Sequence, residues 1–127
     1  MTWQEIIKRS PNTILVENSK GRIKSSLKAG LKPYCVATDA KSMALALEDN
    51  PHKEYSLWLD YDLTRIWKIG KRSNSLEIIK IYKDWLKESG CKLIVIHSWN
   101  PWGRLILQRE LGGIGVEIIL KRHWRVL

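Results

Sequence analysis

In the segment LWLDYDL the carboxylates of Asp60 and Asp62 stand two residues apart. On a continuing strand that spacing turns both to one side, where they can share a cation or activate a water. The same two residues equally suit capping of the following loop or pairing with nearby lysines and arginines. A second segment, IVIHSWNPWGR, brings His97 and Ser98 to the end of an apolar run and opens a helix at Asn100-Pro101. Imidazole is the side chain best matched to proton transfer near neutral pH, and a helix start offers N–H groups to an anion. In the chemical reading His97 moves protons and Asp60 and Asp62 hold a divalent cation such as Mg2+, while Ser98, Asn100 and Arg104 grip phosphate. The bland alternatives are a structural histidine and an ordinary N-cap at Asn100. Gly103, in the first turn of that helix, allows close approach by the sheet or by phosphate.

Strands must carry these groups to a common edge. Thr13 to Glu17, Tyr34 to Ala37, Tyr55 to Leu63, Lys92 to His97 and Val116 to Lys121 read as strands. The run KLIVIH has almost no alternation, as expected of a strand buried on both faces of a parallel sheet. Helical spacing covers Thr2 to Arg9, then Arg22 to Leu31 with Ile23, Leu27 and Leu31 as its stripe. Thr38-Asp39 caps a helix over Ala40 to Asp49, and Ser75 caps one that stops at Gly90. The last helix runs from Pro101 to Gly112-Gly113.

Strands alternating with helices predict a three-layer, doubly wound α/β domain spanning residues 1–127, with a five-stranded parallel sheet. Strand order cannot be read from the residues themselves. The flavodoxin-like order 2-1-3-4-5 fits five strands and places a ligand crevice between the carboxyl ends of strands 1 and 3.

Composition narrows the partners. The chain has 127 residues, and 22 Lys and Arg against 13 Asp and Glu leave a formal charge of +9, which favours phosphorylated or polyanionic ligands. The apolar runs are too short for a membrane span, the amino terminus lacks the pattern of a secretion signal, and Cys35 and Cys91 have neither CxxC nor metal-ligand spacing. An intracellular, cytoplasmic protein with free thiols is expected.

The pairing of LDYDL with the later IHSWNPWGR resembles the cyclic-phosphate-processing receiver family, and the likeness extends from about Thr13 to Leu120 through the stretch ATDAKSMALALE. Members usually read LDHDL, so Tyr61 stands where a histidine is expected, and Glu17-Asn18 stands where receiver domains carry an acidic pair. The resemblance implies a receiver-like fold linked to RNA-end or cyclic-phosphate metabolism. It further implies Asp60 as phospho-acceptor or metal ligand with Glu17 and Asp62 as helpers, and Ser98 and Lys121 as phosphate contacts.

After Asp62 the chain departs from that family. TRIWKIGKRSN supplies Arg65, Trp67, Lys68, Lys71 and Arg72, a set suited to nucleic-acid contact. Trp99, Trp102 and Trp124 also fall near basic residues, either as stacking surfaces or as the rim of the core. Two functions follow. One is a phosphate-recognising domain that acts on or binds a nucleotide or RNA end, such as a cyclic phosphate. The other is a non-catalytic basic module for RNA, DNA or a nucleotide second messenger.

Overall fold

Apolar runs flanked by turn residues form five strands, and the helices between them cover both faces of the sheet they make. The computed structural model describes residues 1–63 and 74–121. Its elements are α1 (Trp3–Lys8), β1 (Thr13–Val16), α2 (Lys20–Lys28), β2 (Cys35–Ala37) and α3 (Ala40–Glu48). There follow β3 (Tyr55–Leu59), α4 (Ser75–Leu86), β4 (Cys91–Ile96), α5 (Pro101–Leu111) and β5 (Glu117–Leu120). All pairings are parallel and the order is β2-β1-β3-β4-β5, the flavodoxin-like arrangement. From β1 the chain moves to one edge, then returns past β1 to β3 and on to the other edge. The topological switch point of this order lies between the carboxyl ends of β1 and β3.

The period of two along each strand sorts side chains between two cores. Ile14, Val16, Leu57, Leu59, Ile94 and Ile96 pack against Met43 and Leu47 of α3, Ile78 and Ile79 of α4, and Leu107 and Leu111 of α5. On the opposite face Leu15, Trp58, Leu93 and Val95 meet Ile6 of α1, with Trp3, Ile7 and Ile23 around them. The buried Trp58 keeps its indole N–H satisfied by donating to Ser10 Oγ at 3.0 Å. Each such fully buried large apolar side chain contributes about 1.5–3 kcal/mol. Among the described residues no helix is long and apolar enough to cross a membrane.

Local chemistry shifts several boundaries from those expected. Ser19 caps α2, so this helix starts before Arg22, and it ends at Lys28 with Gly30 at φ 108°. Leu31 is buried beyond the helix while Leu27 is exposed, so the expected stripe does not form one buried face. Asn74, not Ser75, caps α4 by accepting the Leu76 N–H. Gly90 is required where it stands: its φ is 101°, and a Cβ there would meet the Lys53 carbonyl oxygen at 1.8 Å. Finally, β3 stops at Leu59, because Asp60 Oδ1 accepts the Tyr61 N–H and the chain turns.

Candidate functional site at the carboxyl edge of the sheet

Register alone assembles the first part of the site. The residue after each of four strands still donates to its neighbour: Glu17 to Ala37, Asp60 to Val16, His97 to Leu59 and Lys121 to Ile96, all within 2.9–3.0 Å. Glu17, Asp60, His97 and Lys121 thus form one row across the sheet. Each lies two residues beyond Leu15, Trp58, Val95 or Ile119, so the row faces the α1 and α2 side.

Glu17, Asp60 and His97 are 0%, 3% and 1% exposed. Two buried carboxylates side by side need a counter-charge, and α2 provides one in its first turn. Arg22 Nε donates to Glu17 Oε1 at 2.8 Å, and Arg22 Nη2 lies 3.5 Å from Asp60 Oδ2. Glu17 also accepts the Asn18 and Ser19 N–H groups at the start of α2, a carboxylate placed where a helix start favours negative charge. Burial pushes the Asp60 carboxyl up to about 8, helped by the hydrogen bond and charge of Glu17, while Arg22 and the Ser98 hydroxyl act in the opposite sense. Asp60 is therefore held protonated near neutral pH. Burial opposes the Arg22 charge, but Glu17, Asp60 and Asp62 outweigh that cost and raise its pKa further.

These contacts bear on a cation. The guanidinium of Arg22 faces both Glu17 and Asp60, whose carboxyl groups also bond each other, and among the described residues no group of three or more acidic, histidine or cysteine side chains is placed to hold a metal ion. Glu17, Asp60 and Asp62 do not fit the divalent cation that their sequence positions suggest. Asp62 lies beyond the end of β3, and its charge, like that of Asp60, acts on Arg22. It pairs with Asn74 in an isolated bridge and accepts from Asn100 Nδ2 at 3.4 Å.

The second part of the site is the start of α5. Asn100 Oδ1 accepts the N–H groups of Trp102 and Gly103 at 3.1 and 3.2 Å, so those donors are capped from within the chain instead of being left to an anion. Ser98 is buried; its hydroxyl accepts the Asn100 N–H and bonds Asp60. Arg104 reaches back to donate to the Ser98 carbonyl. Gly103 is closely approached by Tyr61: a Cβ at Gly103 would lie 2.4 Å from the ring. Tyr61 thus covers the first turn of α5.

A test of that packing follows. Gly103→Ala should lower stability in urea by about 1–3 kcal/mol, because the ring must move. In a Tyr61→Ala background the same substitution should cost almost nothing. An equal cost in both backgrounds would assign the effect elsewhere.

The LDYDL and IHSWNPWGR segments therefore meet at one edge, through Asp60 with Ser98, Asp62 with Asn100, and Tyr61 with Gly103. His97 shares the row and lies beside Trp58, ring centroids 6.2 Å apart. Lys121 ends the row, but its ammonium donates to the Met1 carbonyl at 2.7 Å and sits 5.6 Å from the Trp3 ring centre, so it is directed to α1. Arg65, Trp67, Lys68, Lys71 and Arg72 lie outside the described residues, as does Trp124. Arg22 is the residue that sequence reading missed. A cation in the first turn of a helix opposes the macrodipole, and that misfit was the available sign of a tertiary carboxylate partner.

No family model, curated protein or solved structure matches the chain. What sheet order establishes is the receiver-like, flavodoxin-type fold, and nothing finer.

Proposed function

We propose that this chain is a phosphate-recognising, receiver-like module that binds a nucleotide or an RNA end, such as a 2′,3′-cyclic phosphate, without turning it over. The carrying observation is the sealing of the chemical groups. Glu17, Asp60 and His97 are buried, and Arg22 engages both carboxyl groups from within. A reacting phosphate would need those groups in contact with it.

Charge supports the binding half of the reading. The cluster of Glu17, Asp60, Asp62 and Arg22 carries more acid than base, so the rest of the chain carries more than the formal net of +9. Arg104 at the α5 start is the cation assigned to phosphate, and the basic residues among 65–72 are assigned to nucleic-acid contact. The likeness of LDYDL and IHSWNPWGR to the cyclic-phosphate-processing receiver family points to the same ligand class.

Fluorescence anisotropy of a short RNA labelled at its 5′ end tests this. Oligonucleotides ending in a 3′-phosphate or cyclic phosphate should bind more tightly than the same RNA ending in a hydroxyl. Affinity should fall linearly with salt on logarithmic axes, since phosphate contacts release counterions. Equal affinity for all three ends would remove the phosphate from the account.

A further inference from the structure

Trp102, in the first turn of α5, is 71% exposed, and Trp99, in the connection from β4, is 39% exposed. The backbone setting of Trp102 is fixed. Asn100 holds the N–H groups of Trp102 and Gly103, Tyr61 presses on Gly103, and Arg104 is anchored to the Ser98 carbonyl. An indole held out in water by a rigid turn leaves apolar area uncovered, at a cost that contact with a partner would recover.

The charge of the chain selects the partner. A formal +9 with Arg104 two residues beyond Trp102 complements a polyanion. A polyanion that also carries flat π-faces is a nucleic acid whose bases are unpaired. We infer that Trp102 forms a stacking platform for the base adjoining the bound phosphate. The ligand is then a single-stranded nucleic-acid end, and neither a duplex nor free phosphate suffices. This inference rests on the phosphate reading above and names its substrate class.

The two ideas separate in one set of anisotropy titrations, using a labelled single-stranded RNA with a 3′-phosphate, its duplex, and the same strand with an abasic site at the last position. Loss of one stacked base weakens binding roughly 5- to 150-fold. Trp102→Ala should show a loss of that size on the intact strand, with an unchanged salt slope, and Trp102→Phe should restore most of it. The abasic strand should bind wild type weakly and be indifferent to Trp102→Ala. Arg104→Ala should reduce the salt slope by about one. If Trp102→Ala binds like wild type while Arg104→Ala weakens, the platform is wrong and the phosphate reading stands. If neither variant changes affinity, or wild type binds no oligonucleotide, both fall. Wild-type binding to the duplex as tight as to the single strand also overturns the platform. So does self-association of the chain that Trp102→Ala abolishes while RNA affinity holds, which would assign the indoles to a second copy.

Discussion

Exchange of Arg22 for methionine should lower the free energy of unfolding by about 3–5 kcal/mol at mildly alkaline pH, the cost of leaving a buried charge without its partner. Methionine keeps an apolar stem of similar length along α2, so the change isolates the guanidinium. What remains is Glu17 at 0% exposure and Asp60 at 3%, bonded to each other and faced by neutral donors, among them the backbone N–H groups of Asn18, Ser19 and Tyr61 and the Ser98 hydroxyl. Acid should relieve the defect, because protonated carboxyls need no counter-charge. The penalty should therefore shrink steadily as pH falls, and adding Asp60→Asn to Arg22→Met should recover part of it, a non-additivity expected of groups in contact. Urea unfolding of the four variants at several pH values provides the measurement. A penalty below about 1 kcal/mol at alkaline pH would mean that Arg22 is no more than a surface ion pair.

Asp60→Asn should behave in the opposite way and stabilise the protein at the alkaline end. In the folded chain Asp60 keeps its proton up to about 8, against an ordinary value of 3.8. Between those two values the unfolded chain has already released that proton, so folding takes one up. The contribution of Asp60 is thus fully present below the ordinary carboxylate range and is lost as pH rises through the folded value. Asparagine keeps a donor where the carboxyl O–H stood and has nothing to titrate. The variant should show a flatter stability curve than wild type and exceed it by on the order of 1–3 kcal/mol near the top of the window. Thermal or urea unfolding across the window checks this. Wild-type stability that climbs with pH through the same interval would place Asp60 among ordinary ion-paired carboxylates.

Much of this architecture was legible. The unbroken run LIVI declared a doubly buried strand, and alternation of strands with helices led to a parallel sheet whose carboxyl edge gathers Glu17, Asp60, His97 and Ser98. The meeting of LDYDL with IHSWNPWGR followed from that topology. What escaped was set by interactions between distant residues or by one-residue shifts. Arg22 reads as one more basic position on an amphipathic helix until Glu17 and Asp60 are placed beside it. Asp60 and Asp62 keep the spacing of a shared face only if the strand continues, and it ends at Leu59, where Asp60 turns to accept the Tyr61 N–H. Lys121 keeps its place in the row, but the Met1 carbonyl draws its ammonium to α1. The N–H groups of Trp102 and Gly103 suggested an anion seat, whereas Asn100 fulfils the simpler role of cap.

Arg22 also gives the site its character, because a counter-ion built into α2 removes the need for one from solution. Binding of the 3′-phosphorylated RNA measured side by side in magnesium and in EDTA, at matched ionic strength and with the RNA recovered afterwards, tests that claim most directly. The expected result is the same affinity in both buffers and an intact oligonucleotide. Binding that tightens only with magnesium, or magnesium-dependent conversion of the RNA end that Asp60→Asn abolishes, would contradict it.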